Sequence, residues 1–272
     1  MPPSMPESKE STHHVRPFVY DTLHSKALHF TICEVQSSMR LRDPDALDLE
    51  YTRMMMGFLL FMAEPQNITM IGLGGGSLAK FCYRHLPQTR ILVVEINPHV
   101  IALRDEFHIP SDDDRFSVVL ADGAQHVRTS TSPCDILMVD GYDSEGLPPR
   151  LCSQRFYDDG FALLRPGGIM VVNLQYSHDH YAIHLDRIRR SFGDSVLVVD
   201  DKDGCNSIVF ARKGVGFAQV RQSAMRLPES LDVAAAAALL PALTQVAAVS
   251  RQQQGESSGG IGGPSGHARS PA

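Results

Sequence analysis

Ile68-Thr69-Met70-Ile71-Gly72-Leu73-Gly74-Gly75-Gly76-Ser77-Leu78-Ala79-Lys80-Phe81 passes from a short apolar run through a cluster of glycines into residues with helical spacing. The pattern predicts a strand, a tight turn and a helix N-terminus. Gly72, Gly74 and Gly76 let the backbone approach a ligand closely, and free N–H groups at a helix start can receive it. A second apolar run, Ile91-Leu92-Val93-Val94, follows and ends at Glu95. Nucleotide-binding α/β folds place a ribose-holding carboxylate at that point, about 20 residues beyond the turn. Glycine turn, second strand and terminal acid in this order point to an adenosine-type cofactor.

Outward from this unit, strands and helices alternate. Phe116–Leu120, Asp135–Val139 and Ile169–Asn173 read as further strands, with helices expected over Gln154–Leu164 and His180–Ser191. Arg165-Pro166-Gly167-Gly168 reads as a loop. Such alternation predicts a mostly parallel sheet covered on both faces. Val196–Val199 and Ser207–Ala211 are separated by only a short polar turn, so this last pair is expected to be antiparallel. Before the main domain, Leu28 to Val35 alternates with a period of two, which predicts a strand in a hairpin or short meander. Leu49 to Phe61 has helical spacing. The domain organisation expected is a disordered tail over 1–15, a β-element with a linking helix over 16–66, and a main domain over 67–214. A helical segment over 215–250, centred on Leu231–Val249, and a disordered tail over 251–272 follow.

Composition narrows the function. Of the 272 residues, 43% are hydrophobic and 21% charged, which is ordinary for a globular protein. A net charge of −6 argues against non-specific binding to nucleic acid or to an anionic membrane. Met54–Ala63 is greasy but far short of the roughly 20 residues that span a bilayer. Cys33, Cys82, Cys134, Cys152 and Cys205 are scattered and form no Cys-x-x-Cys pair, which favours reduced thiols in a cytoplasmic protein. His13-His14 is too short for a metal tract. His178-Asp179-His180 lacks a third ligand nearby in sequence, so no metal is expected.

Ligands of such sheets bind at the carboxyl ends of the strands. Gly72–Gly76, Glu95, Asp122 and Asp140 all fall there. Each has a bland reading as a tight connection, a strand-end cap, a helix cap or a solvated turn residue; their recurrence at successive strand ends weighs against it.

Asp135-Ile136-Leu137-Met138-Val139-Asp140-Gly141-Tyr142-Asp143 resembles the Y-D-x-I-x-x-D-x-x-D segment of the spermidine synthase (polyamine aminopropyltransferase) family. Ile71–Gly76 is similar to the family's G-G-G-D-G-G turn, Val94-Glu95-Ile96-Asn97 to its V-E-I-D, and Ala121–Ala124 to its D-G/A segment. Leu151–Tyr157 with Leu164–Gly168 resembles its L-F-x-x-E-F-Y and L-x-P-G-G stretch. Gln36 and Tyr51 fall where the family has its N-terminal Gln and Tyr. The resemblance covers about residues 28 to 212.

The resemblance implies a Rossmann-like class I S-adenosylmethionine-dependent transferase fold, α/β, with a small N-terminal β-element. It implies transfer of an aminopropyl group from decarboxylated S-adenosylmethionine to an amine such as putrescine, and a homodimer or homotetramer. On it, Asp140 is the catalytic aspartate, and Asp143, Gln36 and Tyr51 hold the amine or close its pocket. Gly72, Gly74, Gly76, Glu95, Asp122 and Gly123 hold the donor. The chain departs from the family at Gly75, where the turn carries an aspartate, and at Arg53, where a glutamate stands. Both changes remove an anion near a cationic substrate, and one charged hydrogen bond is worth about 1.5–3 kcal/mol. Two alternatives follow. A methyltransferase on the same fold would use intact S-adenosylmethionine, with Arg53 pairing to its carboxylate. A non-catalytic member would bind only a nucleoside or a protein partner.

Overall fold

The computed structural model describes residues 14–31, 35–143, 145–175, 179–201, 206–217 and 226–254, and the helical backbone of 255–259. The expected tail over 1–15 lies almost wholly outside these residues. The first described elements form a three-stranded antiparallel sheet of β1 (Phe18–Asp21), β2 (Ser25–His29) and β3 (Val35–Arg40), in that order. No single strand runs from Leu28 to Val35. β2 ends at His29, and His29 pairs with Val35, so the chain turns back inside the alternating stretch. Alternation sets which side chains face inward but is blind to a reversal.

Next come α1 (Glu50–Met55) and a 3₁₀ turn over Met56–Leu60. Met54, Met55, Met56, Phe58 and Leu59 are fully buried, because the helical repeat puts these side chains against the main sheet and its covering helices.

The main sheet has seven strands: β4 (Asn67–Ile71), β5 (Arg90–Glu95), β6 (Phe116–Leu120), β7 (Cys134–Val139), β8 (Leu164–Gln175), β9 (Val196–Asp200) and β10 (Asn206–Arg212). Their order is β6-β5-β4-β7-β8-β10-β9. β4 to β8 run parallel, and β10 is antiparallel to both β8 and β9. From β4 the chain first builds outward through β5 and β6, then returns to lay β7 on the other side of β4. This change of direction opens a crevice at the carboxyl ends of β4 and β7.

Among the described residues the α-helices are α1, α2 (Ser77–His85), α3 (Pro98–Ile101), α4 (Gly123–Thr129), α5 (Gln154–Leu163), α6 (Tyr181–Phe192) and α7 (Val233–Gly259). One face of the sheet, with Met70, Val93, Met138 and Val171, packs against α1, α2 and α7. The other, with Ile71, Leu137, Val139 and Val172, packs against α4, α5 and α6.

Two boundaries differ from expectation. β8 starts at Leu164 and takes in Pro166-Gly167-Gly168. These residues stay in the sheet because Gly167 N donates to Lys213 O and Lys213 N donates to Gly168 O, at 2.8 and 2.9 Å. α7 runs to Gly259, past residue 251 where the sequence places a tail. Buried Ser250 and bonds from Gln245 to Asp200 O (2.6 Å) and from Gln253 to Val196 O (3.1 Å) hold it on β9. Residues 260–272 lie outside the description. Val233–Gln254 is long and apolar enough to cross a membrane by length and composition. Its Leu239, Ala242, Leu243 and Val246 are, however, buried in the protein's own core.

Candidate active site

The glycine turn is built as the sequence pattern predicts. Gly72, Gly74 and Gly76 have φ of 97°, 52° and 71°, a left-handed region that side chains with a Cβ rarely adopt. Gly72 also has no room for a side chain, since a Cβ there would press into the carbonyl oxygen of Asp140. Gly72 N donates to Val94 O and Asp140 N to Ile71 O, both at 2.9 Å, so the turn is clamped between β5 and the end of β7.

Around the turn, a cavity of about 760 Å³ opens at the strand ends. Gln36, Tyr51, Gly72, Gly74, Glu95, Asp122, Gly123, Asp140 and Asp143 all stand on its wall. Gly76 does not. It precedes the first residue of α2, and a Cβ there would come 2.5 Å from Ile109, so its role is to let that side chain lie over the helix start.

Each acid is held differently. Glu95 is 7% exposed, and its two oxygens accept the Leu73 and Asn97 amides, both at 2.8 Å. Burial pushes its carboxyl above the usual range, and those amides oppose the shift. Asp122 caps α4 by accepting from Gln125 N at 3.0 Å, and its other oxygen accepts from Arg150 at 2.8 Å. Burial alone would raise the Asp122 carboxyl, but the Gln125 amide and the Arg150 guanidinium hold it below the usual range. Gly123 lies so close to Ile71 that a side chain would collide with it.

Asp140 is half-buried at the end of β7. Tyr51 Oη donates to its Oδ2 at 3.2 Å from α1, and Asn173 Nδ2 donates to its Oδ1 at 2.9 Å from β8. Burial raises its carboxyl above the ordinary range despite both bonds. The Tyr51 phenol is pushed well up by burial and by the Asp140 charge, so it stays a donor. Asp143 is exposed in the loop beyond β7. It pairs with Gly146 through the backbone, and its Oδ1 accepts from Glu145 N at 2.7 Å.

The wall also includes Ser37, Ser77, Tyr142, Arg150 and Asn173, which the sequence motifs do not mark as site residues. Asn173 left one trace, a polar residue closing an apolar strand. The others carry no signal short of the fold. Two departures from the family pattern are resolved in place. Arg53 turns away from the cavity, donating to Leu47 O at 2.8 Å and Asp48 O at 2.9 Å. A Cβ on Gly75 would come 2.7 Å from Ser37 Oγ and 2.9 Å from the Phe107 ring, so this chain fills the space instead.

The wall carries Glu95, Asp122, Asp140, Asp143 and Glu145 against Arg150 and His14. That excess of carboxylates suits a cationic ligand. Among the described residues no three His, Cys, Asp or Glu side chains are grouped to hold a metal ion.

The Spermine/spermidine synthase domain matches residues 48–193. The polyamine aminopropyltransferase of Neisseria meningitidis serogroup A is 39% identical over 188 residues, covering 68% of this chain and 72% of the relative. The human eEF1A lysine and N-terminal methyltransferase is 32% identical over 128 residues, covering 42% of this chain and 18% of the relative. Among solved structures, a probable spermidine synthase from Corynebacterium glutamicum shares the fold with a TM-score of 0.64. It is 20% identical, with 76% of this chain and 80% of that one covered.

Proposed function

We propose that this chain, which belongs to the spermine/spermidine synthase family, moves the aminopropyl group of decarboxylated S-adenosylmethionine to an amine such as putrescine. One observation carries the reading: Asp140 stands at the strand-order switch, on the wall of an acid-rich cavity, held by donors on two different elements.

In this reading Glu95 receives the ribose hydroxyls, and Asp122 the adenine amino group with Gly123 beside it. The turn at Gly72 and Gly74 brings backbone against the donor. Asp143, Gln36 and Tyr51 hold the amine or close the pocket around it. The amine nitrogen attacks the aminopropyl carbon bound to the sulfonium. The C–N bond forms, the C–S bond breaks with its electron pair going to sulfur, and methylthioadenosine leaves. Because alkylammonium groups lose their proton near pH 10.4, the attacking amine must be orientated and relieved of a proton. Asp140 does both, and its raised carboxyl is a better proton acceptor than an ordinary aspartate.

Incubating the purified protein with decarboxylated or with intact S-adenosylmethionine, each with a panel of amines, tests the reading. Methylthioadenosine is the expected product. S-adenosylhomocysteine, formed only with intact S-adenosylmethionine, would replace it with methyl transfer. Methylation is the second reading, favoured by the packed Gly75 and by the methyltransferase relative. The orientation of Arg53 speaks against it, because that guanidinium is spent on Leu47 and Asp48 and does not reach the cavity wall. We place the enzyme in the cytoplasm as a homodimer or homotetramer, which sedimentation of the purified protein tests.

A further inference from the structure

On one face of β8 the side chains run Ile169, Val171, Asn173, and the first two belong to the core beneath α1 and α7. The stripe turns polar at Asn173, which is only 4% exposed. Pairing of Val139 with Val172 brings Asp140, just past the end of β7, beside Asn173, two residues before the end of β8. Asn173 Nδ2 donates to Asp140 Oδ1 at 2.9 Å, yet its own Oδ1 is buried with no partner among the described residues. A buried amide with an unpaired acceptor is destabilising, and an apolar side chain would continue the stripe without that cost. Packing therefore does not account for Asn173. Its bond to Asp140 does.

A carboxylate held by one donor still rotates about its Cβ–Cγ bond. Tyr51 grips Oδ2 from α1 and Asn173 grips Oδ1 from β8, so the plane is set from two separate elements. Tyr142 Oη also donates to the Asn173 carbonyl at 3.1 Å, tying the segment after Asp140 to the same residue. We propose that Asn173 is a positioning residue for Asp140, fixing the orientation of the carboxylate and keeping it an ionised proton acceptor. The inference rests on the role given to Asp140 above.

The test compares wild type with Asn173→Leu and Asn173→Asp. Methylthioadenosine formation is followed across pH, and the Asp140 carboxyl is titrated by ¹³C NMR, with Asp140→Asn identifying its signal. Asn173→Leu removes one charge-assisted bond, so the Asp140 midpoint rises by about one to two pH units. The acid limb of kcat moves with it, while donor Kd stays at the wild-type value. Asn173→Asp keeps the shape but sets two carboxyls against each other, and the upper midpoint of the pair rises further. An unchanged Asp140 midpoint in either variant overturns the proposal, and Asn173→Asp serves if the leucine variant does not fold. Wild type that makes no methylthioadenosine sinks the aminopropyl reading instead, and the NMR comparison still decides the role of Asn173.

Discussion

Gly72 and Asp140 touch back to back: the α-carbon of the glycine lies so near the aspartate carbonyl that no side chain fits between them. The turn that would receive the donor and the carboxylate that would serve the amine are thus one rigid unit. Gly72→Ala is expected to cost upwards of about 3 kcal/mol, from the strain of φ at 97° and a collision with backbone that cannot swing aside. Gly146→Ala is the control, since φ there is 112° but a Cβ meets nothing within 4 Å, so strain alone costs about 1–2 kcal/mol. Urea unfolding of the two variants separates the terms. Equal losses would mean the Gly72–Asp140 contact carries no stability.

Tyr51 supplies the second grip on Asp140, and its loss has a sign. Tyr51→Phe removes a donor to the ionised carboxylate, so the Asp140 carboxyl rises further. Activity that needs the ionised form then falls off at higher pH than in wild type, with kcat at neutral pH about tenfold lower. Asp140→Asn leaves no acceptor, and a loss of about 10²–10⁴ in kcat is expected with donor affinity kept. A pH–rate profile of Tyr51→Phe that superimposes on wild type would remove Tyr51 from this role.

Much of this arrangement was legible in the sequence because it repeats. Gly72, Glu95, Asp122 and Asp140 each close an apolar strand, and parallel strands bring such ends to one edge. Asn173 was not legible as a partner, since its meeting with Asp140 depends on β7 lying beside β8, which spacing does not encode. Arg53 misled for a related reason. Its position in the motif says nothing of its rotamer, and the free carbonyls of Leu47 and Asp48 claimed it. The Pro166–Gly168 stretch reads as a loop by composition, but pairing with Lys213 overrides that local preference. The reach of α7 to Gly259 is likewise set by tertiary contacts with β9, and its glutamines give no such hint alone.

The ionised Asp140 should also cost stability. Its carboxyl titrates above its ordinary value of 3.8 because it is buried, so over that interval the folded chain holds a proton that the unfolded chain has lost. Stability attributable to this group is therefore present at low pH and is lost as pH rises through the folded-state value. Asp140→Asn carries no such titration. Its Tm, relative to wild type, is expected to climb as pH is raised from about 4 toward neutrality. A constant Tm difference across that range would show that the carboxyl titrates normally.

Lys80 gives the opposite slope at alkaline pH. Its side chain is 1% exposed, and Nζ donates to the Phe107 carbonyl at 2.8 Å. Burial pushes the ammonium down to about 8 from 10.5, with Asp45 opposing the shift. Between those two values the unfolded chain keeps a proton that the folded chain has released, so this group adds stability as pH rises through the window. Lys80→Met retains a stem that fills the same space but removes the titration. The unfolding free energy of wild type relative to Lys80→Met should therefore grow between pH 8 and 10.5. The variant should also be felt at the glycine turn, because Phe107 packs on Gly75 and Ile109 on Gly76. With the Phe107 carbonyl left without its donor, that segment loosens and donor affinity drops by about tenfold, the equivalent of 1.4 kcal/mol. Denaturant unfolding against pH, with donor titration at neutral pH, reads both effects. A stability offset that stays constant across the window would show an ammonium of ordinary basicity, and unchanged donor affinity would uncouple Phe107 from the turn.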